Sequence, residues 1–190
     1  MKNYLFLIVL IIPFLCSCDT DENQPEIPPD EENFSAEIFF SEYIEGSSFN
    51  KALEIVNLTG NVINLETLDY SVKKQLNGSG NWVNELKLTG IISHNSVFVL
   101  ANASANIPEI IETANQLKTG APMDFNGNDP LGLFKNGILI DVIGVLGKPE
   151  DFGFDMTLKR KKSRTEPNII FDLEEWEILE MDAVDGLGEY

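Results

Sequence analysis

From Phe34 onward, short apolar stretches rich in β-branched and aromatic residues alternate with Gly, Asn and Ser clusters about every ten residues, a spacing typical of an all-β sandwich or barrel. The first two stretches, Ile38–Ile44 and Lys51–Asn57, are predicted strands joined by a loop. In the second stretch, large apolar residues alternate with small or polar ones. This alternation predicts one buried face and one face that is only partly wet.

One short helix is predicted among the strands. Asn106 is a good N-cap with Glu109 three residues later, and Pro108 lies in the first turn. The apolar positions then follow a helical period as far as Leu117, and Gly120 ends the pattern. We expect this helix to cover an open end of the sandwich.

Two glycine-containing turns predict β-hairpins. The turn Lys135-Asn136-Gly137 lies between two apolar runs, and Asn-Gly in that context is the strongest short-range hairpin signal. The segment Asn77–Asn81 is also glycine-rich, but it lacks the lysine and the strand-to-helix context of a phosphate-binding loop. It is therefore predicted to be a hairpin loop.

The N-terminal residues 1–17 have the pattern of a bacterial lipoprotein signal peptide. One early cation, Lys2, precedes an apolar run from Tyr4 to Leu15, which is too short to span a bilayer as a lone helix. The run ends in Leu15-Cys16-Ser17-Cys18, which resembles a lipobox. We expect Cys18 to carry the lipid and to attach the protein to a membrane, because two or more acyl chains suffice for stable anchoring. The alternative is a conventional signal peptide cut near Ser17.

Residues 18–35 are predicted to be an acidic, proline-containing tether. Asp19–Asn33 contains seven carboxylates, three prolines and no cation, a composition that favours an extended chain. Acidic residues directly after the lipidated cysteine resemble the surface-export signals of Bacteroidetes lipoproteins. This resemblance implies an outer-membrane protein on the cell surface, with a periplasm-facing tether as the alternative.

The chain is strongly acidic. Its formal net charge is −18; the leader contributes +1 and the tether −7, which leaves −12 on residues 34–190. Such a surface repels phosphate backbones and argues against general nucleic-acid binding. It is compatible with calcium or with cationic partners.

Several motifs in the predicted domain, residues 36–190, resemble bacterial lamin-tail domains. They are EYIEGSS at Glu42–Ser48, KALEIVN at Lys51–Asn57, Asn64-Leu65, VFVLAN at Val97–Asn102, FNGND at Phe125–Asp129 and IDVIG at Ile140–Gly144. The resemblance covers residues 38–147. In the remaining C-terminal extension, 148–190, TLKRK at Thr157–Lys161 and Trp176 resemble the tail of bacterial members. The resemblance implies an immunoglobulin-like β-sandwich, in agreement with the periodicity.

Two groups of oxygen-bearing side chains are candidate calcium ligands, because calcium prefers hard oxygen donors. The first surrounds Gly127 but does not have EF-hand spacing, and it equally suits a tight turn. The second converges only if its strands pair, and such glutamates are also common at sandwich edges. The candidates are Asp124, Asn126, Asn128 and Asp129 in the first group, and Glu42, Glu45 and Glu54 in the second.

A basic run is a candidate polyanion site, because it holds five of the thirteen Lys and Arg residues of the chain. No aromatic residue lies among these cations, although stacking supplies much of single-strand affinity. The alternative is a solvated strand face, or charge pairing with the acidic segment Asp172–Glu180. The five cations are Lys159, Arg160, Lys161, Lys162 and Arg164.

Catalytic residue types are scarce in the sequence. His94 is the only histidine and lies in a predicted turn, so we expect an exposed turn residue rather than a catalytic base. If Cys16 leaves with the leader and Cys18 is acylated, the mature chain has no free thiol. We therefore expect a non-enzymatic binding, adhesion or accessory module without a cofactor, for an unknown protein or glycan. A metal-dependent hydrolase using the clustered carboxylates and a DNA- or polyanion-binding module remain as alternatives.

Overall fold

The computed structural model describes residues 33–190. The predicted signal peptide, the acylation site Cys18 and most of the predicted tether lie outside these residues. Within the described range, no helix combines the length and the apolar character needed to cross a bilayer.

Residues 33–190 form an all-β, sandwich-like fold with one short α-helix, which confirms the predicted fold class. Short 3-10 turns at Leu76–Gly78 and Leu173–Glu175 complete the described elements. The strands are β1 (Phe39–Glu45), β2 (Lys51–Asn57), β3 (Ile63–Asn64), β4 (Tyr70–Gln75), β5 (Trp82–Lys87), β6 (Ile91–Ile92), β7 (Ser96–Asn102), β8 (Gln116–Lys118), β9 (Leu131–Lys135), β10 (Ile138–Ile143), β11 (Met156–Arg160) and β12 (Trp176–Glu180), and α1 is Pro108–Thr113.

The strands make two main sheets. The larger sheet has the order β12-β11-β1-β2-β7-β8, and the smaller has the order β10-β9-β4-β5. A two-stranded ladder pairs β3 with β6. The C-terminal extension is integral to the larger sheet, because β11 lies directly beside β1 and carries β12 on its other side.

The main core fills the space between the two sheets. Tyr43, Leu53 and Ile55 of the larger sheet belong to the same buried cluster as Tyr70 and Leu133 of the smaller one. Alternating side chains of a strand point to opposite faces, so the sequence period identifies these residues. The predicted hairpins at Asn136-Gly137 and at Asn77–Asn81 are confirmed by the pairing of β9 with β10 and of β4 with β5.

A second, smaller core lies on the outer face of the larger sheet. Ile44, Ala52 and Val99 pack there against Ile110 of α1 and Leu187. Leu187 belongs to residues 182–190, here called the C-terminal strap. Both faces of β1 and β2 are therefore buried, and the prediction that one face of the second strand is partly wet is wrong.

The predicted helix is confirmed, but it is shorter than predicted and packs on a different part of the sandwich. It is flanked by Ile107 and Ala114, whose backbones are extended, so Asn106 is not its N-cap and Gly120 does not end it. Leu117 belongs to β8, which pairs in parallel with β7. The helix packs on the outer face of the larger sheet rather than over an open end.

Candidate functional site

An open groove lies between the loop that follows β10 and the segment that precedes β12. It has a volume of about 500 Å³, which falls within the range of ligand pockets. Val145 and Phe154 line it from the loop, and Phe171 and Leu173 line it from the segment before β12. We call this site the lateral groove.

The floor of the lateral groove is an outward continuation of the main core. Phe152, Met156 and Phe171 are only partly buried, yet they pack against the core cluster. The Phe152 and Phe171 rings meet edge to face with centroids 5.5 Å apart, and the Tyr43 ring lies 6.0 Å from that of Phe152. Such aromatic contacts fix the ring positions, so the groove has a preformed floor.

The turn around Gly127 is hydrogen-bonded to the loop that follows β10, here called the groove loop. The N–H groups of Phe152 and Gly153 donate to the Gly127 carbonyl oxygen at 2.8 and 3.2 Å, and the Tyr43 hydroxyl donates to the Gly153 carbonyl oxygen at 3.3 Å. A Cβ atom at Gly127 would clash with the backbone of Phe154. The turn that the sequence suggested as a calcium site thus has a structural role here, because the groove loop rests on its backbone.

An apolar rim extends the groove across the surface. A second depression of about 190 Å³ is lined by Leu146, Ile169 and Ile170 and shares Val145 and Phe171 with the groove. The exposed fraction is 72% for Ile170. Contiguous exposed apolar surface of this kind is typical of interaction sites, whereas single exposed apolar residues are not informative.

Two carboxylates lie among the apolar residues that line the groove. Asp151 and Asp172 are both exposed, and among residues 33–190 neither pairs with a cation. Asp172 also caps the 3-10 turn before β12, because its Oδ1 accepts from the Glu174 N–H at 2.9 Å. The groove therefore combines an apolar floor with negative charge at its margin.

The first calcium candidate is occupied by a lysine. Lys74 Nζ lies 2.7 Å from an Asp124 carboxylate oxygen and 3.1 Å from one of Asp129. The other Asp129 oxygen accepts from the Asn77 N–H at 2.7 Å. Asn128 points elsewhere, because its side-chain amide donates to the Pro149 carbonyl oxygen.

The Asn126 backbone N–H also faces this turn, 3.4 Å from an Asp129 carboxylate oxygen. Across residues 33–190, no three His, Cys, Asp or Glu side chains gather in a geometry that could hold a metal ion. Calcium binding at the predicted ligands stays a prediction without structural support.

The structure brings together two of the three predicted glutamates. Glu42 and Glu54 are directly opposite each other on β1 and β2, and both are fully buried in the middle of the larger sheet rather than at its edge. The alternative that Glu42 and Glu54 are glutamates at a sandwich edge is therefore wrong. Glu45 is separate, because it pairs with Lys51 and accepts from the Asp155 N–H at 2.5 Å.

The environments of the two buried glutamates differ. The Glu54 oxygens accept from the Ser41 hydroxyl at 2.7 Å and from the Gly188 N–H of the C-terminal strap at 2.6 Å. Neither Glu42 oxygen has a donor among the described residues, and Lys159 Nζ is 3.8 Å away. Burial, reinforced by the neighbouring Glu54 carboxylate, raises the pKa of Glu42 to about 7.

The strap that covers these glutamates is fastened at both ends. Asp182 accepts from the Ser47 N–H at 2.8 Å and from the Ser47 hydroxyl at 2.7 Å. At the other end, the Tyr190 ring packs edge to face on Phe39. Between these contacts, a Cβ atom at Gly186 would clash with Lys159 Nζ, so the strap lies directly over that lysine.

The basic run does not form one continuous basic surface. Arg160 is buried, and its guanidinium donates to Asp141 and to Glu175 at 2.8 Å each. Lys159 faces Glu42, and Lys161 Nζ donates to the Glu174 carbonyl oxygen. The alternative of charge pairing with the acidic segment is confirmed for Arg160. Lys162 and Arg164 remain at the surface.

His94 lies in a turn, as predicted, but it is half-buried rather than exposed. Its Nδ1 accepts from the Gly60 N–H at 3.1 Å, and its ring packs edge to face on Phe34 at 5.4 Å. Through these contacts, His94 connects its own turn to the loop that contains Gly60.

Sequence reasoning missed the lateral groove. Its residues come from two segments without a regular period, so neither segment was singled out. The available signal was the presence of adjacent large apolar residues at Val145-Leu146 and at Ile169–Phe171. Such runs are informative when they are exposed, but exposure depends on the fold. Ile178 of β12 is also exposed.

Comparisons with family models, with curated proteins and with solved structures found no match to this chain.

Proposed function

We propose that this protein is a non-enzymatic, lipid-anchored lipoprotein of the outer-membrane surface, and that its β-sandwich binds a partner through the lateral groove. It would act in adhesion or as an accessory to another surface protein. The observation that carries the proposal is the groove itself, a preformed apolar depression with an exposed rim on an otherwise acidic domain.

The sequence supports the anchoring and the family. The lipobox at Leu15–Cys18 and the acidic tether motivate surface attachment. We further infer an immunoglobulin-like domain of the lamin-tail type. The motif KALEIVN coincides with β2, and VFVLAN lies within β7, so motifs of the resemblance fall on neighbouring strands of one sheet.

The anchor is tested by replacing Cys18 with alanine. Loss of the acylated cysteine removes the acyl chains that hold the protein, so we expect the Cys18→Ala variant to leave the membrane fraction. The measurement is an immunoblot of fractionated cells. The matched control is Cys16→Ala, which should stay in the membrane because alanine is small enough for a lipobox. Membrane retention of Cys18→Ala would contradict the anchor, and protease treatment of intact cells then tests surface exposure.

The groove is tested by site-specific photo-crosslinking on intact cells. A photoreactive phenylalanine analogue in place of Phe154, which is 53% exposed in the groove, should form a discrete crosslinked species. The same analogue in place of Val62, an exposed apolar residue outside the groove, is the control. Discrete products at both positions, or at neither, would contradict a binding role for the groove. The expected result is a product that forms from position 154 alone.

A further inference from the structure

The chemistry of the lateral groove specifies its partner more closely. We propose that the groove binds an exposed peptide segment of another protein in which bulky apolar side chains stand next to lysine or arginine. This inference rests on the proposed function, because it takes the groove to be the binding site.

The charge at the groove margin favours a cationic ligand. Asp151 and Asp172 line the groove, and no Lys, Arg or His of the described part of the chain lines it. Complementary charge across an interface favours the right partner and disfavours like-charged ones. The net charge of −12 on residues 34–190 adds to this preference over longer distances.

The shape and lining of the groove favour apolar side chains. The groove of about 500 Å³ and the adjoining depression of about 190 Å³ share Val145 and Phe171, so two neighbouring side chains can be received side by side. A sugar is a poorer fit, because each of its hydroxyls needs a polar partner when buried. Among residues 33–190, the only charged or hydrogen-bonding side chains that line the groove are Asp151 and Asp172, and both act as acceptors when ionised.

The chain's own N-terminal tether is also a poor occupant. Residues 19–32 contain seven carboxylates and no cation. Like charges brought together at a binding site are destabilising, so this segment would be repelled by Asp151 and Asp172. A separate partner that carries the opposite charge satisfies both the apolar floor and the acidic margin.

The test is a selection from a random peptide library displayed on phage. The bait is the full chain in phosphatidylcholine nanodiscs, with empty nanodiscs used to remove background binders. We expect the selected peptides to combine aromatic or large aliphatic residues with Lys or Arg. Synthetic versions of these peptides are then titrated against variants of the full chain, with circular dichroism to verify that each variant is folded.

The variants separate the apolar and the charge contributions. Phe154→Ser and Leu173→Ser should each weaken binding about tenfold. The double variant Asp151→Asn with Asp172→Asn should weaken it about three- to tenfold, because Asn keeps a cap for the Glu174 N–H but removes the charge. The matched control is Glu109→Gln with Glu112→Gln on α1, which should bind as the wild type does.

The outcomes distinguish this inference from the proposed function. Peptides that depend on Phe154 but show no cation preference, and that bind the Asp151 and Asp172 variant normally, would overturn the inference and leave groove binding intact. Failure to select any peptide that depends on Phe154 would overturn the peptide partner, and the crosslinking at position 154 then decides the proposed function separately. Self-association of the full chain that is lost in Phe154→Ser would assign the groove to a second copy and would also overturn the inference.

Discussion

Replacing Arg160 by methionine is expected to lower the free energy of unfolding by about 3–5 kcal/mol. The Arg160 guanidinium donates at 2.8 Å to Asp141 and at 2.8 Å to Glu175, and at 3.1 Å to the Phe40 carbonyl oxygen. Methionine fills a similar volume without the charge. The Asp141 carboxylate would then stay buried without its cation, which is the costly part of breaking a buried ion pair. Chemical denaturation of the purified chain measures the loss.

The position of Asp141 explains why this ion pair matters for the fold. Asp141 lies on β10 of the smaller sheet, and one of its oxygens accepts from the Phe40 N–H of β1 in the larger sheet at 2.7 Å. Arg160 therefore neutralises the carboxylate that bridges the two sheets. Its guanidinium also lies 5.3 Å from the Phe39 ring and 5.0 Å from the Trp176 ring, in cation–π geometry.

Two further variants identify the cause of the Arg160 effect. Arg164→Met removes an arginine from the exposed end of the same basic run and should change the free energy of unfolding by less than about 0.5 kcal/mol. Arg160→Lys keeps the charge but not the planar, forked donor set, so it should give an intermediate loss. A loss below about 1 kcal/mol for Arg160→Met would mean that the network adds little to stability.

Replacing Glu42 by glutamine is expected to stabilise the protein above neutral pH. Burial beside Glu54 raises the pKa of Glu42 from 4.5 to about 7. The folded state therefore binds the proton more tightly than the unfolded state. The resulting stability is fully present below pH 4.5 and is lost as the pH rises through 7. The full change, from below pH 4.5 to well above pH 7, amounts to about 3 kcal/mol.

The measurement is the free energy of unfolding of the wild type and of Glu42→Gln between pH 4.5 and pH 8. Glutamine resembles the protonated acid, so the stability gain of the variant should be near zero at pH 4.5 and should grow toward pH 8. The difference between the two curves isolates Glu42, although burial also raises the pKa of Asp141 to about 6 against the opposing effect of Arg160. Parallel curves would show that Glu42 has the same pKa in both states.

Glu54→Gln is the matched comparison for Glu42→Gln. Both Glu54 oxygens already accept hydrogen bonds, from Ser41 and from the strap at Gly188, and an amide nitrogen cannot accept either of them. This variant should therefore destabilise the protein, in contrast to Glu42→Gln. Lys159 is the cation that faces Glu42 from β11, so both titrations are measured with Lys159 intact.

Much of the fold could be read from neighbouring residues in the sequence. The strand Lys51–Asn57 and the hairpin at Asn136-Gly137 follow from side-chain alternation and from turn chemistry, which act over a few residues. The sequence predicts too long a helix, because Leu117 continues the helical period. In the structure, Leu117 belongs to β8, which pairs in parallel with β7. Tertiary pairing overrode the local pattern.

The candidate sites could be read far less well. The sequence predicts that Glu42, Glu45 and Glu54 converge if their strands pair, and the structure brings together only Glu42 and Glu54. The burial of these two depends on their position in the middle of the sheet and on the strap, whose Gly188 follows Glu54 by 134 residues. Lys74 meets Asp129 across 55 residues and Arg160 meets Phe40 across 120. The residues next to these positions in the sequence do not indicate such distant partners.

By itself, the sequence determined the all-β class, most strand positions and the turns, because backbone alternation and turn conformation depend on residues that are close in the chain. Only the tertiary structure decided which charged residues are buried and paired, and that loop residues such as Val145 and Phe171 form an apolar groove. The burial of a side chain and the shape of a groove depend on contacts between residues that are distant in the chain. They exist only after the two sheets and the connecting loops have packed together.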